Sequence, residues 1–278
     1  MRVIPSKLVV QKIADALIDI NFNVDSDILK YFQSQLPALK DNEKRVIQIL
    51  VENANIAAKN KIPLCQDTGT VVIFARIGQH VAFEKNLQTL IDEAVSSVYK
   101  QQYLRKSIVN DPLSRINTQD NTPAILHLEM IQGDTCEFGI MVKGGGAENA
   151  SSMTMLEPAA GEEGIIDLIV KVVAEKGRNA CPPLILGVGL GGNFETCTLL
   201  AKKALFRNIG QRNIDAKYAK LENKILKKVN ELKIGAGGYG GKLTAMEVFI
   251  ETAPCHIASM PVAVNVSCHS TRHTWVRV

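Results

Sequence analysis

The stretch with the greatest density of chemically useful side chains is Pro63-Leu64-Cys65-Gln66-Asp67-Thr68-Gly69-Thr70. It sets a thiol, an amide and a carboxylate in succession, then supplies the glycine that a tight turn needs. A thiolate at Cys65 is a soft metal ligand, and Asp67 two residues on is suited to a proton or a substrate hydroxyl. Taken alone, a cysteine ahead of a strand is more often a small buried hydrophobe, so the chemistry depends on what the rest of the chain brings. Candidates recur along it: Arg105, able to grip a carboxylate through two parallel hydrogen bonds; the glycine loop Lys143-Gly144-Gly145-Gly146-Ala147-Glu148-Asn149; Cys181-Pro182-Pro183; Cys255-His256; and Cys268-His269. Cys136 lies inside a strand pattern and Cys197 one turn into a helix, and both read as packing residues.

Composition limits what these residues can serve. The 278 residues, 46% hydrophobic and 22% charged, can bury a sizeable core. Aromatic residues are only 5%, too few for a base-stacking surface, and a net charge of +4 suits a small anion without requiring a polyanion. The segment 201–233 carries ten Lys or Arg against three acids, which reads as a solvated helical surface rather than a nucleic-acid site. No apolar run approaches the roughly 18 residues of a membrane helix, and the N-terminus leads into an amphipathic helix rather than a signal, so the expected location is cytoplasmic. Six cysteines without any C-x-x-C spacing argue against a disulfide framework and a zinc ribbon alike. A metal site must gather its ligands from distant positions.

The elements that would position these residues form an α/β pattern, a mixed sheet with flanking helices and an N-terminal helical layer over about 1–60, read as one domain spanning 1–278. Ile13, Leu17 and Ile20 mark the inner face of a first helix; Val46, Ile49, Leu50 and Ala57 that of a third. Strands are predicted at Val71–Ile77, Ala124–Ile131, Thr135–Val142, Leu184–Gly189, Leu243–Thr252 and Pro261–Val266. The second and third of these are expected to pair as a hairpin through Gln132-Gly133-Asp134. Helices are predicted over about 84–103 and 162–176, and another from Phe194. Gly187, Gly189 and Gly192 match a dinucleotide fingerprint formally, but no acidic residue follows in a clean βαβ unit. A nucleotide-dependent oxidoreductase and a non-enzymatic binding subunit are the readings from other classes.

With these blocks in order, the chain resembles the alpha subunits of the class I fumarate hydratases and the related L-tartrate dehydratases. The blocks are Pro-Leu-Cys-Gln-Asp-Thr-Gly, Asn-Thr-Pro-Ala at 121–124, Lys-Gly-Gly-Gly-Ala-Glu-Asn at 143–149, Cys-Pro-Pro, Gly-Gly-Asn-Phe-Glu at 191–195 and His-Ile-Ala-Ser-Met-Pro-Val-Ala-Val-Asn-Val-Ser-Cys at 256–268. The resemblance implies an iron–sulfur hydro-lyase domain whose [4Fe–4S] cluster is held by three cysteines with one iron open. It implies Cys65, Cys181 and Cys268 as ligands, with Cys255 the competitor for the third place. It further implies that Gln66, Asp67, Arg105, Gly145 and His256 line the substrate site, with Asp67 and His256 handling the hydroxyl or its proton. Because the chain ends ten residues after Cys268, a separate beta subunit is expected to bring the catalytic base, in a hetero-oligomer of alpha and beta. Hydration of fumarate to L-malate is the first expectation, and dehydration of L-tartrate to oxaloacetate the second. Both involve a small dicarboxylate, with no nucleic acid or membrane as partner.

Overall fold

In the computed structural model, which describes residues Met1–Val278, the chain begins β1 (Arg2–Ile4), α1 (Ser6–Phe22), α2 (Ser26–Gln35), α3 (Asp41–Asn60), β2 (Thr70–Gly78), β3 (Val81–Phe83), α4 (Leu87–Gln101), β4 (Ile125–Ile131) and β5 (Cys136–Lys143). It continues α5 (Gly145–Asn149), β6 (Ser152–Leu156), α6 (Gly161–Lys176), β7 (Leu184–Gly192), α7 (Phe194–Ala204), α8 (Ala216–Glu231), β8 (Ala245–Cys255), β9 (Met260–Ser267) and β10 (Arg272–Arg277). These form two compact units. One comprises Met1–Asp25, Asn53–Gly145 and Arg272–Val278, the other Ser26–Glu52 and Gly146–Thr271. The mixed α/β architecture agrees with the sequence, but the N-terminal helices are shared out: α1 belongs to the first unit, α2 to the second, and α3 contributes residues to each.

The first unit is built on β2. Its residues Val71 to Ala75 are all buried, as expected of a strand covered on both faces. Such a strand takes the middle of a sheet, and the observed order is β10-β5-β2-β4. The hairpin expected between the strands at 124–131 and 135–142 does not form; β2 lies between them, parallel to β4 and antiparallel to β5. The turn after β2 occupies the place the hairpin would need. Its backbone N–H groups at Gly78, Gln79 and His80 donate to the carbonyls of Thr135, Ile131 and Gly133, at 2.7, 2.9 and 3.0 Å. On one face Val71, Ile73 and Ala75 meet Leu17 and Ile20 of α1 and Leu90, Ala94 and Val98 of α4 in one apolar cluster. Asn86 caps α4, its side chain accepting from the Thr89 N–H.

The second unit has the sheet order β6-β9-β7-β8, with β7 parallel to β8 and antiparallel to β9. Ile165, Ile169 and Val173 of α6 and Ile225 and Val229 of α8 pack on Leu186, Val188, Val248 and Val264. The other face of β7 is bare of side chains at Gly187 and Gly189. A Cβ at these positions would lie 2.1 Å from the carbonyl oxygens of Ala201 and Cys197, respectively, on α7. The fingerprint-like glycines therefore let a helix lie against a strand.

The buried positions of α3 are Glu43, Ile47, Ala54 and Ala57; Ile49, expected inward, is 53% exposed. Glu43 turns this face into an anchor, accepting from the N–H groups of Lys242 and Leu243 at 3.0 and 2.8 Å. The basic segment is also tied down: Arg207 pairs with the fully buried Glu222 at 2.7 Å, Arg212 with Glu247 at 2.6 Å and Lys224 with Glu162 and Glu163. No helix is long and apolar enough to cross a membrane. Gly189→Ala tests the bare face of β7. The added methyl group is expected to cost about 1–3 kcal/mol of stability, read as a lower urea midpoint with unchanged slope.

Candidate functional site

Within the first unit the turn at 63–70 is held through its main chain. Leu64 donates its N–H to the Asn21 carbonyl at 2.8 Å, and its own carbonyl accepts from Asn53 Nδ2 at 3.0 Å. The Asp67 carbonyl accepts from Arg272 Nη2 at 2.7 Å, the Thr68 carbonyl from the Tyr99 hydroxyl, and the Gly69 carbonyl from Asn121 Nδ2 at 3.0 Å. Thr68 sends its hydroxyl to the Arg105 carbonyl. The pins come from α1, α3, α4, the loop before β4 and β10, so the turn is fixed by nearly every part of its unit. Asn121 and Arg272 are themselves buried, and Asn21 joins them by accepting from Arg272 Nη1 at 3.2 Å.

Fixing the backbone in this way leaves the side chains to point outward. Cys65 is half-buried with its sulfur 3.5 Å from Gln66 Oε1, Gln66 is exposed, and Asp67 is half-buried. The Asp67 carboxylate is locked: Gly69 N–H donates to Oδ1 at 3.0 Å and Gly145 N–H to Oδ2 at 2.7 Å. Glycine at 144 eases this approach, since a Cβ there would stand 3.1 Å from Oδ2, close enough to press on the carboxylate. The Gly145 N–H thus serves the Asp67 carboxylate. Each Asp67 oxygen retains acceptor capacity for one more donor. Arg105 has an exposed side chain beside this turn. The first unit thus assembles Cys65, Gln66, Asp67, Arg105 and Gly145 around one rigid loop.

In the second unit two of the four candidates come together and two do not. Antiparallel pairing sets Ile185 of β7 against Ser267 of β9. Cys181, just ahead of β7, and Cys268, just after β9, therefore lie at the same end of the sheet. The residue following Cys268 joins them: the N–H of His269 donates to the Cys181 carbonyl at 3.3 Å, and its Nδ1 lies 3.0 Å from the same oxygen. Cys181 holds a left-handed backbone (φ 53°, ψ 68°), a conformation costly for a residue with a Cβ and tolerated mostly where function demands it. Cys255 is aligned with Gly192, the last residue of β7, at the opposite end of that strand. His256 follows it in the turn before β9, its Nδ1 accepting from Ala258 N–H at 3.1 Å. The length of β9 separates His256 from Cys268, roughly 26 Å for eight residues.

All six thiols are free. Cys65 and Cys268 are half-buried and Cys181 is exposed, as metal-ligating thiolates must be to receive a metal. Cys136 and Cys197 are sealed in apolar cores, and burial pushes both thiols up to about 11, which keeps them protonated at neutral pH. Within neither unit are three His, Cys, Asp or Glu side chains already gathered as a metal site. Within the second unit the donors suit a thiolate-held group, Cys181 and Cys268 being accessible at one end of its sheet, and within the first unit Cys65 is accessible on the fixed turn. Reasoning from sequence missed the pins, Asn21, Asn53, Tyr99 and Arg272. Their only signal was polarity within apolar surroundings, as at Asn21 between Ile20 and Phe22.

Comparison with known proteins gives a consistent picture. The family model described as fumarate hydratase (Fumerase) matches residues 10–277. A putative L(+)-tartrate dehydratase subunit alpha from Methanocaldococcus jannaschii is 35% identical over 280 residues, covering 98% of this chain and 97% of the relative. L(+)-tartrate dehydratase subunit alpha from Escherichia coli strain UTI89 is 31% identical over 253 residues, 88% of this chain and 83% of that one. The K12 protein of the same name is 31% identical over 247 residues, 86% and 81% of the two chains.

Two measurements check the geometry. In metal-free protein Cys65, Cys181, Cys255 and Cys268 are expected to react with a thiol-disulfide reagent, and Cys136 and Cys197 only after denaturation. Tyr99→Phe strands the buried Thr68 carbonyl and should lower stability by about 1–3 kcal/mol. Burial raises the Tyr99 phenol well above its ordinary 10.0. Its contribution is therefore complete below pH 10 and lost as pH rises beyond it, a loss that titration of unfolding in Tyr99→Phe should show reduced.

Proposed function

The chain belongs to the fumarate hydratase (Fumerase) family, and on that footing we propose that it is the alpha subunit of a two-subunit iron–sulfur hydro-lyase acting on a four-carbon dicarboxylate. The observation that carries the proposal is the pairing of β7 with β9, which sets Cys181 beside Cys268 and leaves Cys255 at the far end of the same strand. Cys65, Cys181 and Cys268 are then the three ligands of a [4Fe–4S] cluster. Held by three thiolates, such a cluster supplies a Lewis-acidic iron toward the substrate hydroxyl.

The protein's own part follows from its fixed backbone. Asp67, oriented by the N–H groups of Gly69 and Gly145, accepts a hydrogen bond from the substrate hydroxyl and holds it in one direction. Gln66 offers an exposed amide beside it, donating to a carboxylate oxygen. Arg105 grips a carboxylate through paired N–H donors. Gly145 acts by positioning Asp67. Asp67 and His256 share the handling of the hydroxyl or its proton, His256 standing a strand's length from Cys268 on its own sheet. A partner subunit, which the word alpha in the relatives' names implies for those proteins, brings the group that removes the carbon-bound proton.

The hydroxylated substrates of the two reactions, L-malate and L(+)-tartrate, differ by one hydroxyl. The family description favours fumarate, the first expectation from the motifs. The names of the relatives lean to L(+)-tartrate, the second expectation.

Anaerobic co-expression with a candidate beta subunit, assayed on fumarate, L-malate and both tartrates, tests the proposal. Turnover is expected only with both chains present. Full activity of this chain alone would remove the shared-site reading. Cys268→Ser is expected to abolish the broad visible absorption of the anaerobically purified protein, while Cys255→Ser keeps it. The reverse result would reassign the third ligand.

A further inference from the structure

The polar neighbours of the sulfurs differ in what they can give. In the second unit Cys255 lies 3.4 Å from the Ser259 carbonyl oxygen, and Cys197 lies 3.2 Å from that of Gly189. A carbonyl only accepts, so both contacts require the sulfur to keep its proton. Cys268 has a different neighbour. Its sulfur stands 3.3 Å from the Ser270 hydroxyl, a pair in which either atom can donate. A sulfur that gives up its proton to a metal can no longer donate, but it still accepts. The Ser270 contact survives that change with the hydroxyl as donor; the carbonyl contacts of Cys197 and Cys255 do not. Cys65, on the turn of the first unit, faces the Gln66 amide, whose rotation exchanges an acceptor for a donor.

Burial and the surrounding backbone fix Ser270 for this contact. The residue is 4% exposed, so solvent offers its hydroxyl little in exchange for a lost partner, and a buried hydroxyl needs one. The turn that carries it leads out of β9, whose end is held in place. The Val266 N–H donates to Ser151 Oγ at 3.0 Å, and the His269 N–H to the Cys181 carbonyl at 3.3 Å. We propose that Ser270 is a positioning residue for the metal centre: its hydroxyl donates to the Cys268 thiolate, fixes the direction of that ligand and draws charge from its sulfur. The proposal rests on Cys268 being the third cluster ligand. A hydrogen bond to a charged sulfur is stronger than one between neutral groups, and partners of this kind help a site to retain its metal. The reduced centre carries one more negative charge than the oxidised one, so a donor to its sulfur also favours reduction.

Four forms of the full chain, loaded anaerobically with iron and sulfide, test this: wild type, Ser270→Ala, Ser270→Thr and Ser270→Val. The last two introduce side chains of the same shape that differ in the hydroxyl, and so read the hydrogen bond apart from packing. Loss of the visible absorption to an iron chelator is expected to be roughly tenfold faster in Ser270→Ala than in wild type, and faster in Ser270→Val than in Ser270→Thr. The reduction potential, read by anaerobic dye titration, is expected to be lower in the two variants that lack the hydroxyl. Equal loss rates and equal potentials across the set overturn the inference and leave the cluster reading standing. Faster loss without a change in potential marks a purely structural role and overturns it as well. A wild-type chain that takes up no iron overturns both readings. If Ser270→Ala is unfolded by circular dichroism, the pair Ser270→Thr and Ser270→Val decides.

Discussion

The carbonyls of a short turn, each claimed by a side-chain donor, are the constraint on which the first unit depends. Leu64, Asp67, Thr68 and Gly69 present oxygens in succession, and Asn53, Arg272, Tyr99 and Asn121 answer them. A buried carbonyl left unpaired is costly, so each donor is tied to its position by the one it serves. The donors come from helices, a loop and a C-terminal strand far apart in sequence. The turn can therefore form only when the unit has closed around it. This gives Cys65, Gln66 and Asp67 fixed stems without any regular secondary structure beneath them, the arrangement a site needs if its side chains are to hold one geometry.

How much of this could be read beforehand varies with the kind of signal. Continuous apolar runs made the central strands plain: Val71–Ile77, Leu184–Gly189 and Pro261–Val266 all lie within β2, β7 and β9. The stripe Ile13, Leu17, Ile20 is buried as its spacing requires. Strand order was another matter. Two neighbouring strands with a glycine turn look like a hairpin, and only the doubly covered character of β2 says that a third strand belongs between them. β10, Arg-His-Thr-Trp-Val-Arg, has no pattern that separates it from a polar tail. The candidate cysteines were visible as strand-end residues, but which of Cys255 and Cys268 accompanies Cys181 depends on strand direction, and direction is a property of pairing.

Polarity in the wrong place was the signal passed over. Asn21 and Arg272 sit where an apolar residue would pack; Arg272 donates to the Asp67 carbonyl distant in sequence, and the Asn21 side chain holds Arg272 by accepting from its Nη1. Glycine misled in the opposite sense. Gly187 and Gly189 resemble a phosphate-binding turn because both situations need a missing side chain, here so that the carbonyls of Ala201 and Cys197 can approach a strand. The same residue type serves two kinds of close contact, and only the neighbouring atoms tell them apart.

The β7–β9 ladder has a consequence beyond bringing two thiols to one end of a sheet. Cys181 and Cys268 are 87 positions apart (268 minus 181), yet their spacing is measured by hydrogen bonds across a strand pair rather than by the chain that joins them. Exposed positions of the intervening helices can change in composition without moving either sulfur. A single residue inserted within β7 or β9 moves one of them. Evolutionary drift in this family should therefore be written into those positions, while the two strands behave as a ruler that tolerates almost no change in length.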